Sequence, residues 1–143
     1  MLPDCLAVFP AYAGAMEDAV PAIRTFGLLG TWAPDCSKPM APDNPRVRYF
    51  IAAEPETVAH TFSTSPAGAG SSDIAVYAEI VADDRLIIVL RKSGTPTTMG
   101  ILQRVSGRIR IFDALGSDGK QLVTNGIVAA TPQPSAVYQR CQD

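Results

Sequence analysis

Two apolar segments, Ile74-Ala75-Val76-Tyr77-Ala78-Glu79-Ile80-Val81-Ala82 and Arg85-Leu86-Ile87-Ile88-Val89-Leu90-Arg91-Lys92, are separated only by Asp83-Asp84. Each has the length and the β-branched content of a strand, and two aspartates leave room for nothing but a tight antiparallel hairpin. The nearly continuous run Ile87 to Leu90 predicts a strand covered on both faces, the centre of the core.

The same period of two extends outward from this hairpin. Upstream, Val47, Tyr49 and Ile51 alternate with Arg46, Arg48 and Phe50, and Val58, His60 and Phe62 share one face of a further strand. Between that strand and the hairpin, Ser63 to Asp73 holds Pro66, Gly68, Gly70, Ser71 and Ser72 and is expected to be a flexible loop. Downstream, Thr97 to Val105 turns at Ser106-Gly107 into Arg108 to Ala114. A turn at Gly116 to Gly119 then leads to Lys120 to Asn125, and short strands follow at Ile127 to Ala130 and Ala136 to Tyr138. Leu28 to Trp32 opens the first strand, ahead of a proline-rich loop from Pro34 to Pro45. Met16 to Phe26 has Val20, Ile23 and Phe26 at helical spacing but contains Pro21, which predicts a short or irregular helix.

About eight short strands joined by turns, with no long helix between them to build a parallel sheet, make a mainly β antiparallel fold. An up-and-down β-barrel is expected, because closure removes exposed sheet edges; a β-sandwich is the alternative.

The 143 residues suit one domain, with 47% apolar and 18% charged residues. No apolar run approaches the roughly 20 residues of a membrane-spanning helix, so no membrane span is expected. A net charge of -2 gives no overall bias toward nucleic acid.

At the N-terminus an apolar stretch from Leu6 to Phe9 precedes Ala11-Tyr12-Ala13 and Ala13-Gly14-Ala15, both of the A-x-A type that signal peptidase accepts. Pro3 and Asp4 stand where a basic segment belongs. Residues 1–15 are expected to be part of a signal peptide, with the domain at 16–143 in a periplasmic or secreted protein; an N-terminal arm packed on the domain is the other reading. Cleavage after Ala13 or Ala15 would remove Cys5 and leave an even pair, Cys36 and Cys141. Joined as a disulfide in an oxidising compartment, they would close a loop worth ~4 to 5 kcal/mol in the chain-entropy model; in a reducing compartment they would be two free thiols.

Gly30-Thr31-Trp32 resembles the G-x-W motif at the first strand of lipocalins, which also follows a short helical turn. The resemblance implies a lipocalin-like barrel in which Trp32 plugs the closed end and an arginine late in the chain packs over it. The family's mid-chain T-D-x has no counterpart here. The longer string Gly30-Thr31-Trp32-Ala33-Pro34-Asp35-Cys36-Ser37, with Asn125-Gly126, Thr131-Pro132 and terminal Arg140-Cys141, is similar to a group of small exported proteobacterial proteins of unknown function. That similarity implies an exported, disulfide-bonded chain and no particular activity.

His60 is the only histidine and shares its face with Val58 and Phe62, which points to a structural role. With no H-x-x-x-H, C-x-x-C or G-x-S-x-G pattern, neither a zinc site, a cofactor nor an enzymatic function is expected. Glu79 lies inside a strand, on the face of Ala75, Tyr77 and Val81. Facing inward it would be a polar anchor in a ligand pocket, and facing outward a solvated partner for an arginine. Arg85, Arg91, Lys92, Arg104, Arg108 and Arg110 fall in a span from 85 to 110 that holds no Asp or Glu. Arg108 and Arg110 share a face with Phe112, and Arg104 lies across the Ser106-Gly107 turn, so Arg104, Arg108 and Arg110 form a candidate anion-binding group.

Two functions are therefore expected in competition. One is a barrel that holds a small apolar or amphipathic ligand in its mouth. The other is an interaction protein whose basic face engages an acidic partner of the cell envelope.

Overall fold

The computed structural model describes residues 16–52, 56–66, 70–92 and 95–142. The expected signal segment, 1–15, lies outside the described residues. Among the described residues, one helix, α1 (Met16–Phe26), precedes eleven strands: β1 (Gly30–Ala33), β2 (Arg46–Ala52), β3 (Thr57–Ser63), β4 (Gly70–Ala82), β5 (Arg85–Lys92), β6 (Thr95–Val105), β7 (Arg108–Gly116), β8 (Gln121–Thr124), β9 (Ile127–Val128), β10 (Gln133–Pro134) and β11 (Val137–Cys141).

Every pairing is antiparallel. β1 to β7 follow one another around a ring that closes through β11, which pairs with β7 on one side and β1 on the other, so eight strands form a closed barrel. β8, β9 and β10 form a small meander that hangs from the C-terminal half of β7. It is fastened by Ser135, whose Oγ donates to the Ile111 carbonyl at 2.7 Å and whose N–H donates to the Gly126 carbonyl.

The hairpin at Asp83-Asp84 forms as its sequence requires, and Leu86, Ile88 and Val89 of β5 are buried. On β2 and β3 the alternation also holds, with Tyr49 and Val58 buried on the inner face and the Arg48 guanidinium stacked on Phe50 outside.

Three expectations change. The segment Ser63 to Asp73 is not all loop: β4 begins at Gly70, and Gly70 to Asp73 pair with Ser63 to His60. Small residues are tolerated there because the ladder is made by backbone groups, whatever the side chains. α1 runs unbroken through Pro21, which faces solvent, while Ala19, Val20, Ile23 and Phe26 bury the opposite side. Tertiary packing of that apolar stripe outweighs one lost helical hydrogen bond. Finally, β11 reaches Cys141, three residues beyond the expected end of the last strand, because β1 offers it an edge.

α1 lies across one end of the barrel. Its apolar face joins Leu28, Trp32, Val58, Ala75, Leu86, Leu102 and Ile109 in one continuous core. The helix stops in a Schellman arrangement: Leu28 N–H donates to the Ile23 carbonyl, and Gly27 N–H to the Arg24 carbonyl at 3.0 Å. Gly27 supplies the positive φ of 81° that this turn needs. Cys36, in the loop after β1, is disulfide-bonded to Cys141 at the end of β11, with 5.3 Å between Cα atoms.

Candidate functional site

The two ends of the barrel interior differ. At the end covered by α1, the Trp32 indole N–H donates to the Leu28 carbonyl at 2.8 Å. The Arg140 guanidinium lies 4.6 Å from the centre of the Trp32 ring and donates to the carbonyls of Gly27 and Leu29. Gly30, at φ 127°, leaves the space that Arg140 occupies; a Cβ there would collide with the guanidinium. Arg104 stacks over Phe26 and donates to its carbonyl, closing the C-terminus of α1.

Beyond this plug the barrel encloses a cavity of about 500 Å³. Its floor is Trp32. Its walls are Val47, Phe62, Leu90, Leu102 and Ile111, inner-face residues of β2, β3, β5, β6 and β7, with Leu122 of the meander alongside. Lys92 borders it, with its residue exposed to solvent.

Besides Ser71, Lys92, Thr98 and Arg110, four polar residues interrupt the apolar wall. Tyr49 of β2, His60 of β3 and Asp73 of β4 occupy one row of the sheet, since Tyr49 pairs with His60 and His60 with Asp73. Tyr138 of β11 is the fourth. His60 Nδ1 lies 3.4 Å from Asp73 Oδ2, and the two side chains are only 12% and 11% exposed. The contact lacks the alignment of a hydrogen bond, leaving Nδ1 buried without one. The His60 and Tyr49 rings sit 5.1 Å apart.

Burial pushes His60 below its ordinary value of 6.5, and the smaller opposing pull of Asp73 does not reverse this, so the imidazole is neutral at neutral pH. Burial raises Tyr49 strongly, with a further push from Tyr138, and burial raises Tyr138 as well. Both tyrosines are therefore neutral hydroxyls. Ser71, which pairs with Phe62, lies on the same wall. Among the described residues, no group of three or more His, Cys, Asp or Glu side chains converges as a metal site would need.

Glu79 is not in this cavity. The register of β4 against β5 slips between Ala75 and Tyr77, and Val76 is the extra residue. Ala75 faces in before the slip and Ala78 after it, which turns Tyr77 and Glu79 to the outside, where the Tyr77 hydroxyl donates to Glu79. Its partner is this tyrosine and no arginine.

The three candidate arginines are also divided. Arg104 pairs in register with inward-facing Ile109 and is committed to α1. Arg110 donates to Gln103 Oε1 at 2.8 Å and also borders the cavity, and Arg108 is exposed. Arg85, Gln103 and Arg110 form one row across β5, β6 and β7, and the Arg85 and Arg110 guanidinia both lie over Phe112, at 4.3 and 5.6 Å from its centre.

Asp73, Tyr49 and Tyr138 were not singled out by the sequence reading. Asp73 was hidden at the end of an apparent loop, although it stands two residues before Ala75 and so belongs to the inward series. Comparison with protein-family models, curated proteins and solved structures finds no match.

Proposed function

We propose that this protein is a binding module of the cell envelope that holds a small apolar or amphipathic ligand inside its barrel. The observation that carries this reading is the apolar cavity of about 500 Å³ above a plugged floor. A volume of that order falls in the range of small-molecule sites, and a barrel interior meant only for stability would be filled by side chains. The row Tyr49–His60–Asp73 supplies the few polar groups that orient a ligand on an otherwise apolar wall.

Export is supported by the Cys36–Cys141 disulfide, which persists in oxidising compartments. The resemblance to lipocalins is supported by Arg140 over Trp32, the arrangement that the G-x-W motif implies.

Native mass spectrometry of protein purified from its own envelope tests the reading. A retained small molecule of defined mass that dissociates on denaturation is expected. A bare chain, together with failure of any apolar dye to enter the barrel, would remove it.

A second reading is favoured by the row Arg85, Gln103 and Arg110 with exposed Arg108, a basic outer face that could engage an acidic envelope partner. Binding to an acidic polymer that weakens with salt, and with Arg108→Glu and Arg110→Glu together, is its expected behaviour.

A further inference from the structure

The geometry points to amphipathic amines as the ligand class of the lumen, with the ammonium head held against Asp73 and the apolar body along Phe62, Leu90 and Ile111. This rests on the ligand-binding reading above and gives it a chemical sign.

Asp73 is a carboxylate on an apolar wall, 11% exposed, and among the described residues its one ionic contact is His60. That contact is 3.4 Å long and poorly aligned, and the imidazole is neutral at neutral pH. A carboxyl group on an apolar wall, with its one ionic contact long and poorly aligned, is costly unless a cation or strong donors compensate it. An ammonium group fits that need, as it donates up to three hydrogen bonds and carries the missing charge. The surroundings favour it further: the rings of Tyr49, Phe62 and Tyr138 line the same cavity, and aromatic faces attract cations. The tyrosine hydroxyls can accept the remaining N–H groups.

Two cations border the same cavity: Arg110, which donates to Gln103 and lies over Phe112, and Lys92. Lys92 is exposed, and it forms no ion pair with Asp73. An acid ligand anchored by Lys92 would keep its head in water and leave Asp73 without compensation. An amine ligand resolves the buried charge.

The test is a calorimetric titration of the folded, oxidised protein at neutral pH with octylamine, octan-1-ol and octanoic acid, which share one apolar body. Octylamine is expected to bind at least about tenfold more tightly than octan-1-ol, the ratio of one charge-assisted hydrogen bond in a dry site. Octanoic acid is expected to be the weakest. Asp73→Asn, close in shape to the native side chain, should bring the amine-to-alcohol ratio to about one.

Equal binding of amine and alcohol by the unaltered protein, or tightest binding of the acid, would overturn the amine assignment and leave the ligand-binding reading standing. Survival of the amine preference in Asp73→Asn would overturn it too. Failure of all three probes would remove the ligand-binding reading itself. Because the ratio in the unaltered protein decides the matter first, the proposal does not depend on any variant folding.

Discussion

The two halves of the barrel interior are built from similar strands and solve opposite problems. At the α1 end, polar groups are satisfied within the chain: Trp32 by Leu28, Arg140 by Gly27 and Leu29, Arg104 by Phe26. Apolar side chains from the helix fill the remaining space. In the other half, the inner faces of the strands stop short of meeting, and polar groups face a void, among them His60, whose Nδ1 is buried without a hydrogen bond. One half of the molecule stabilises the fold, and the other is available to a ligand. The difference comes from a single added element: where α1 supplies Ile23 and Phe26 the barrel is full, and where nothing enters it is hollow.

Replacing side chains in each half should sharpen this contrast. The largest effect is expected from Trp32→Ala, which removes the floor of the cavity and the platform of Arg140. Stability in urea should fall by about 3 to 5 kcal/mol, as for a large buried aromatic. Loss of less than about 1 kcal/mol would mean that the plug is dispensable.

Next is the covalent tie. Cys36→Ser together with Cys141→Ser should cost about 2 to 5 kcal/mol by the same measurement, since the two ends of a loop with a sequence separation of 105 are then released. No difference between this pair of substitutions and the oxidised protein would show that strand pairing alone holds β11 in place.

In the hollow half the response should be much smaller. Phe62→Ala already borders a void and is only half buried, so roughly 1 kcal/mol is expected. Affinity for apolar probes should fall more than stability does. A loss as large as that of Trp32→Ala would mean that the two halves are not distinct.

The smallest effect concerns pH. His60 faces Asp73 from β4 and Tyr49 from β2, and burial lowers its pKa in the folded state. Between that lowered value and 6.5 the unfolded chain holds a proton that the folded chain does not, so stability is complete above about 6.5 and declines as pH falls through this window. His60→Gln should flatten that decline in denaturant titrations across the window. An unchanged slope would assign the pH response to other groups.

Much of the scaffold was legible in the sequence because it rests on local rules. The hairpin at Asp83-Asp84 and the alternation of Val47, Tyr49 and Ile51 need only periodicity and turn chemistry, and the pairing of Cys36 with Cys141 is suggested once Cys5 is set aside. The site was less legible because it depends on register. Glu79 was the conspicuous acid in a strand, yet a single extra residue at Val76 rotates it outside, and no pattern of residue types announces that slip. Asp73 was concealed by glycine and serine neighbours that resemble a loop and pair as a strand. Arg104 belongs to a basic run by sequence and to a helix terminus by packing. Asn44 was missed altogether. It holds the proline-rich loop together by donating to the carbonyls of Asp35, Lys38 and Pro39, and such convergence cannot be read from spacing.

The joints of the ring are unequal. β2 and β3 are matched over seven residue pairs, whereas β7 and β11 meet over two, Val137 with Arg110 and Tyr138 with Ile109. A ring of staves parts first at its shortest seam, and here that seam runs beside the cavity, with Ile109 and Tyr138 among its lining. The stave that would swing is β11, and its far end is fixed at Cys141. The disulfide thus acts as a tether: the strand that makes the shortest seam stays covalently attached to the loop after β1 whether or not that seam holds.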